Sequence, residues 1–134
     1  GGYRVVPHMV KNLPIPPPQS ATLDPRALAI VRQGLWGVVN DPSGTAYSTV
    51  HLPGFDIAGK TGSVQVIAQK ERKENLPFKY RDHGWFTSFA PESDPRLVVS
   101  VFVEHGGSGH NASPIAKALY QKYLSIEASH GDTR

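Results

Sequence analysis

Two apolar segments joined by a short proline-bounded turn constrain the fold of this chain more than any other feature. The first runs from His83 to Ala90 and the second from Arg96 to Glu104, and both are rich in β-branched and aromatic residues. The turn between them, residues 91–95, begins and ends with proline. The pattern predicts an antiparallel hairpin. Because the second segment is apolar at nearly every position, we expect a central strand covered on both faces.

Helices are predicted before and after the hairpin. Asp24 can cap a first helix whose first position is Pro25, and the Asn-Asp-Pro-Ser-Gly sequence at 40–44 ends it. Ser113 and Pro114 are expected to cap a last helix. The apolar residues of that last helix recur at helical spacing and predict this buried stripe: Ile115, Leu119, Tyr123 and Ile126.

The order of the elements predicts an α+β fold, in which helices flank a three-stranded antiparallel sheet. The remaining strand is expected at 55–67, followed by a polar loop at 68–82. At 134 residues the chain has the size of one domain. Within it we expect an extended proline-rich segment at 1–20, a helix–strand–hairpin–helix core at 21–128, and a frayed tail at 129–134.

The composition argues against several kinds of function. The chain has no cysteine, which removes disulfides, thiolate catalysis and cysteine-based zinc sites. Its net charge of +3 is scattered, and the densest charged run, residues 70–74, mixes both signs, so no nucleic-acid partner is indicated. The six histidines lack the spacing of a metal site, so we expect no metal and no other cofactor. No apolar stretch approaches the ~18 residues that a membrane span needs.

The tripeptide Lys60-Thr61-Gly62, inside the first predicted strand, can form a wall of a substrate site. The positive charge of Lys60 favours an anionic substrate or a deprotonated nucleophile, and the Thr61 hydroxyl can bind a carboxylate. Gly62 leaves room for a substrate beside the strand. At a sheet edge, the Ser63 N–H can serve an oxyanion hole or pair with an extended peptide. In an ideal strand Lys60 and Thr61 face opposite sides, so both reach one ligand only if the strand twists. Taken alone, the tripeptide is more simply explained as part of an ordinary surface strand.

Two other patterns suggest different chemistry and fit their surroundings poorly. Residues 54–61 match the phosphate-loop pattern G-x-x-x-x-G-K-S/T, which makes a nucleotide-binding loop a remote alternative. Leu52-Pro53 precedes the match where a strand is needed, and 62–67 is β-type where a helix is needed. The glycine-rich residues 106–110 lack the last glycine of a nucleophile elbow and predict a flexible turn instead.

Several blocks of the sequence, taken together, resemble the class B penicillin-binding proteins. The similarity spans nearly the whole chain and is to the C-terminal part of their transpeptidase domain, most closely to the penicillin-binding protein 2 branch, which acts in rod shape. The blocks that carry it are residues 2–8, 37–40, 44–46, 57–62, 82–91 and the apolar strand ending at Glu104 before Gly106-Gly107. Class D β-lactamases and D,D-carboxypeptidases share K-S/T-G, but the blocks at 37–40 and 90–91 favour the cell-wall synthases.

The resemblance implies a role for each residue of the strand. In such enzymes a serine attacks the D-Ala-D-Ala carbonyl of a peptidoglycan stem peptide, and β-lactams imitate that donor. Lys60 would lie near the nucleophile, Thr61 would bind the terminal carboxylate, Gly62 would leave room for the substrate, and the Ser63 N–H would be one oxyanion donor.

The other two family motifs, S-x-x-K and S-x-N, do not occur in the chain. The nearest approach is Ser113, which has Lys117 four residues on rather than three. We therefore expect a fragment that carries no nucleophile and is inactive alone. A non-catalytic module that binds cell-wall peptides or proteins is the alternative.

The resemblance also implies where the parent protein acts and with what. We expect strands and a helical subdomain outside this chain, and sheet edges that permit self-association. The expected partners are the stem peptide, β-lactams and the cell-wall elongation machinery. The parent is expected at the periplasmic face of the bacterial inner membrane, anchored by an N-terminal helix absent here.

Overall fold

The computed structural model describes residues 2–68 and 76–131. The charged run at 70–74, predicted as a solvated loop, lies outside the described residues. The chain divides into two compact units, residues 1–33 and residues 34–134. In the first unit a short antiparallel ribbon pairs β1 (Tyr3–Arg4) with β2 (Gln19–Ser20).

The first helix, α1, runs Pro25–Asn40 and confirms the predicted start. The Asp24 carboxylate accepts a hydrogen bond of 2.8 Å from the Arg26 N–H, which satisfies one free donor of the first turn. At the other end, Asn40 Nδ2 donates to the Ile57 carbonyl at 2.8 Å, so the end of α1 is held to the segment that enters the sheet. A short helix, α2 (Tyr47–Val50), follows.

Three antiparallel strands form the sheet of the second unit, as predicted. They are β3 (Ala58–Val64), β4 (His83–Ala90) and β5 (Leu97–Val103), in the order β3-β4-β5. The β4–β5 hairpin is the one expected from the sequence, and the Arg96 N–H closes its turn by donating to the Ala90 carbonyl at 3.0 Å. The predicted α+β fold class is confirmed.

The prediction that β5 is central and covered on both faces was wrong. Strand β4 is central and β5 is an edge of the described sheet. Val99 and Val101 are buried, whereas Val98 and Phe102 on the other face are 68% and 47% exposed. An apolar run identifies residues suited to burial, but it does not show that a second layer covers both faces.

The last helix, α3 (Gly109–Gly131), begins four residues before the predicted Ser113-Pro114 start. Pro114 therefore lies inside the helix and lacks the N–H that would donate to the His110 carbonyl. The Ser113 hydroxyl donates to that carbonyl at 3.0 Å and supplies the missing hydrogen bond. The helix also continues to Gly131, into the segment expected to fray, and residues 132–134 lie outside the described residues.

The predicted buried stripe of α3 was also wrong, because the buried face lies one position further along the helix. Its fully buried residues are Ala112, Ser113, Ala116 and Tyr120. Three of the four predicted residues, Ile115, Leu119 and Ile126, are 42–48% exposed, and Tyr123 is half-buried. The alanines allow the helix to lie close to the sheet, which leaves the larger residues at its flanks.

The core of the second unit lies between α3 and one face of the sheet. Its buried members come from the helices, from β4 and β5, and from the segments before α2 and β3; they are Val39, Ala46, Val50, Ile57, Phe86, Ala90, Val99, Val101, Ala112, Ala116 and Tyr120. One polar pair lies within it: the Tyr120 hydroxyl donates to Ser88 Oγ at 3.0 Å. Burial raises the pKa of Tyr120 above its usual 10.0, partly opposed by the hydrogen bond to Ser88.

We expect the Tyr120→Phe substitution to lower the free energy of unfolding by about 1 kcal/mol, because it removes a buried hydrogen bond and leaves Ser88 with fewer partners. Urea unfolding measures this difference. The matched control is Tyr123→Phe on the same helix, since the Tyr123 side chain has only a ring contact with Phe55 among the described residues. Equal losses in both variants would contradict the assignment.

The same pair gives an expected pH dependence. The raised pKa means that the folded state favours the neutral phenol, so this contribution to stability is present below pH 10 and is lost as the pH rises above that value. Tyr120→Phe should therefore remove this part of the loss of folding stability at alkaline pH.

Candidate substrate-binding site

Strand β3 carries Lys60-Thr61-Gly62 at an edge of the described sheet. The strand covers Ala58–Val64 and is shorter at both ends than the predicted 55–67. In its register with β4, Lys60 pairs with Thr87 and Thr61 pairs with Phe86. Directly paired residues share a face of a sheet, so Thr61 lies on the face that α3 covers and Lys60 lies on the opposite face.

A pocket nonetheless brings the two side chains together at the sheet edge. Lys60 Nζ bends back along the strand and donates to the Thr61 carbonyl at 2.8 Å. The open cavity beside it has a volume of about 490 Å³ and is lined by Thr45, Lys60, Thr61, Gly62, Ser63, Ser108, Gly109 and His110. Lys60 and Thr61 start on opposite faces of the strand. The length of the lysine side chain, rather than a strand twist alone, therefore allows both residues to reach one pocket.

The start of α3 forms a second wall, because two glycines let it approach the sheet closely. A Cβ on Gly109 would overlap the Trp85 carbonyl oxygen and lie 2.6 Å from the Gly62 nitrogen. A Cβ on Gly84 would overlap the Ser108 carbonyl oxygen. The positive end of the α3 dipole is thus placed against the strand, where it favours a negatively charged group.

The turn between α1 and α2 forms the third wall. A Cβ on Gly44 would lie 2.7 Å from the Val38 carbonyl carbon, and Ala46 is fully buried with its N–H donating to the Val38 carbonyl at 3.0 Å. These contacts fix the backbone on either side of Thr45. Its Oγ1 lies 3.2 Å from Thr61 Oγ1, with either hydroxyl able to donate.

An ionised carboxylate holds the start of that turn. The Ser43 hydroxyl and N–H donate to Asp41 Oδ1 at 2.6 and 2.8 Å, and they lower the pKa of Asp41 below its usual 3.8. The Asp41 carboxylate therefore accepts hydrogen bonds within the turn and does not line the pocket. Among residues 2–68 and 76–131, the pocket is lined by the basic residues Lys60 and His110 and by no acidic residue, so the charge of this described lining favours an anion.

The four residues singled out from the sequence, Lys60 to Ser63, all line this one pocket. Sequence reasoning missed Thr45, Ser108 and His110. The glycine-rich turn was identified, and so was the Gly-Thr-Ala sequence at 44–46, but no spacing rule places either beside a strand that is distant along the chain.

The described residues do not support a phosphate loop, a metal site or a membrane-spanning helix. Strand β3 continues through Gly62 to Val64, so no helix starts at Lys60-Thr61 and the phosphate-loop alternative is contradicted. Within residues 2–68 and 76–131, no three His, Cys, Asp or Glu side chains are grouped as metal ligands. Among the described helices, none combines the length and the hydropathy required to cross a membrane.

The family follows from comparison with known proteins. The model of the penicillin binding protein transpeptidase domain matches residues 1–121, so the chain belongs to this family, as the resemblance indicated. It is similar to the peptidoglycan D,D-transpeptidase MrdA of Salmonella typhimurium strain LT2, with 34% identity over 95% of this chain and 21% of that protein. MrdA of Haemophilus influenzae is 32% identical over 89% of this chain and 21% of its own length.

Solved structures place the fold in the same family. The chain matches penicillin-binding protein 2 of Helicobacter pylori, determined in complex with MreC, with a TM-score of 0.77 and 26% identity over 93% of this chain and 22% of that one. It matches Pseudomonas aeruginosa penicillin-binding protein 2, in complex with WCK 5153, with a TM-score of 0.58 and 32% identity over 87% and 23%. The chain thus spans about a fifth of the length of these relatives.

Proposed function

We propose that this chain supplies the K-T-G wall of a peptidoglycan D,D-transpeptidase, which cross-links stem peptides through a serine acyl-enzyme and is the target of β-lactams. The observation that carries the proposal is the single pocket in which Lys60, Thr61 and the start of α3 meet. A lysine ammonium, a threonine hydroxyl and a helix N-terminus together suit a ligand with a terminal carboxylate.

Each residue of the strand takes a distinct part. Lys60 provides positive charge that favours deprotonation of a nearby hydroxyl nucleophile. Thr61 donates its hydroxyl hydrogen to the substrate carboxylate. Gly62 leaves the pocket side open, since a Cβ there would meet only the Trp85 Cβ, at 3.4 Å. The Ser63 N–H helps to stabilise the oxyanion as the carbonyl is attacked.

The nucleophile must come from another part of the complete domain, because no serine of this chain has lysine three residues on. We expect benzylpenicillin to leave the mass of the isolated 134-residue chain unchanged and to add the mass of one penicillin to a complete domain that contains it. Intact-mass spectrometry measures both, with the same domain lacking its nucleophilic serine as the control. A covalent adduct on the isolated chain would refute this division of roles.

A non-catalytic peptide-binding module is the second candidate, and the position of β3 at an edge of the described sheet is the observation that favours it. Titration of the isolated chain with a stem peptide, followed by NMR, separates the two. Chemical-shift changes confined to residues 58–64 of the isolated chain, together with a complete domain that penicillin does not modify covalently, would support binding without catalysis.

We propose that the parent protein acts with the cell-wall elongation machinery at the periplasmic face of the bacterial inner membrane. The support is the similarity to bacterial MrdA proteins and to the penicillin-binding protein 2 that was determined in complex with MreC.

A further inference from the structure

We propose that Thr45 is a positioning residue that donates its hydroxyl hydrogen to Thr61 and so turns the Thr61 hydrogen toward a substrate carboxylate. The inference rests on the proposed function of Thr61 and adds a residue that the K-T-G pattern does not contain. Its basis is the 3.2 Å separation of the two Oγ1 atoms at the pocket wall.

The number of hydrogens on a hydroxyl group decides which of the two threonines donates when an anion binds. A threonine hydroxyl has one hydrogen to donate and two lone pairs that accept. If Thr61 donates to Thr45, its only hydrogen is used and a carboxylate, which solely accepts, gains nothing from it. If Thr45 donates, the Thr61 hydrogen is free for the ligand. An anionic ligand therefore selects the direction in which Thr45 donates to Thr61.

Thr45 is well placed for this task because its backbone is fixed on both sides. The Gly44 N–H donates to the Asp41 carbonyl at 2.8 Å, and the Tyr47 N–H donates to the Gly44 carbonyl at 3.1 Å. Ala46, the next residue, is fully buried. A hydroxyl held by such a turn loses little conformational freedom when a ligand binds. More of its interaction free energy therefore contributes to the affinity.

The neighbouring lysine does not take over this role in the structure. Lys60 Nζ donates to the Thr61 main-chain carbonyl rather than to the Thr61 hydroxyl. Within the described residues, Thr45 is the hydrogen-bond partner of Thr61 Oγ1. The sequence Thr45 to Thr61 to carboxylate is then a chain of two hydrogen bonds in one direction. Each bond polarises the next, and the last one ends on a charged acceptor.

The test uses a complete transpeptidase domain that contains these 134 residues, and a matched pair of ligands. We expect Thr45→Val, which keeps the shape and removes the hydroxyl, to lower the second-order rate of acylation by benzylpenicillin about fivefold. The rate with benzylpenicillin methyl ester, which has no carboxylate, should change less than about twofold. Thr45→Ser retains the hydroxyl and should restore the rate with benzylpenicillin.

A double-mutant cycle then separates this inference from the proposed function. In a Thr61→Val background, Thr45→Val should have no further effect, because the two residues act in series. Equal losses with the acid and the ester, or failure of Thr45→Ser to restore the rate, would show that Thr45 only supports the turn and would overturn the inference. If Thr61→Val slows the acid and Thr45→Val does not, the inference fails and the proposed function stands. If neither Thr61→Val nor Thr45→Val affects either ligand, both fail.

Discussion

Replacing Lys60 with methionine in a complete transpeptidase domain is expected to slow acylation by benzylpenicillin roughly 100-fold. Methionine keeps the apolar stem but removes the ammonium, which among the described residues is the one charged donor on the strand wall of the pocket. The loss should appear in the acylation step, because the role proposed for the charge is to assist deprotonation of the nucleophile as well as binding of the carboxylate. Rapid-mixing kinetics with a fluorescent penicillin measure the rate.

The matched control for that substitution is Lys122→Met. Lys122 is an exposed lysine of α3 outside the K-T-G pocket, so its loss should leave the rate unchanged. Lys60→Arg should retain part of the activity, since arginine keeps the charge but places it in a planar group of different shape. A loss of less than about threefold in Lys60→Met would contradict the role given to the ammonium.

Gly109→Ala should lower the free energy of unfolding by about 2–3 kcal/mol, although alanine normally favours a helix over glycine. The added methyl group would overlap the Trp85 carbonyl oxygen and crowd the Gly62 nitrogen, so α3 must move away from β3. Acylation should fall with stability, because the same movement displaces a wall of the pocket. Urea unfolding and penicillin labelling of the complete domain measure the two effects.

The control is a helical glycine in an open environment. A Cβ on Gly34, in α1, would meet nothing within 4 Å. Gly34→Ala should therefore raise the free energy of unfolding by about 0.5–1 kcal/mol, the usual gain in helix propensity. A lower free energy of unfolding for Gly109→Ala and a higher one for Gly34→Ala would separate the effect of close packing from that of helix propensity. A gain at both positions would show that α3 does not require the close approach.

Local patterns were sufficient to predict most elements of the fold. The Asp24 cap and the hairpin turn each depend on neighbours within a few residues, and the structure confirms both. The α3 face failed for a different reason. Helical spacing allowed two adjacent stripes, and the larger apolar residues favoured the one with Leu119 over the one with Ala116. Packing against the sheet selected the small side chain, which sequence hydrophobicity undervalues.

The candidate site likewise contains some residues that the sequence predicts and others that only the structure reveals. The strand residues from Lys60 to Ser63 form a continuous motif, so sequence chemistry could find them. Thr45 and His110 reach the pocket through contacts between distant segments, and that proximity depends on how close α3 and the α1–α2 turn come to β3. Those distances depend on Gly84 and Gly109, whose importance lies in the absence of a side chain and leaves no chemical pattern to recognise.

The close packing of α3 against the sheet also divides the pocket wall into positions that have room for other side chains and positions that do not. At 84 and 109 even a methyl group meets main-chain atoms, so neither position accepts a larger residue unless α3 moves away from the sheet. Ser108 and His110 flank the fixed glycine at 109 and line the pocket with their side chains outside that contact. Substitutions at Ser108 and His110 can therefore change the shape and charge of this pocket wall while the backbone contact at Gly109 keeps α3 in place.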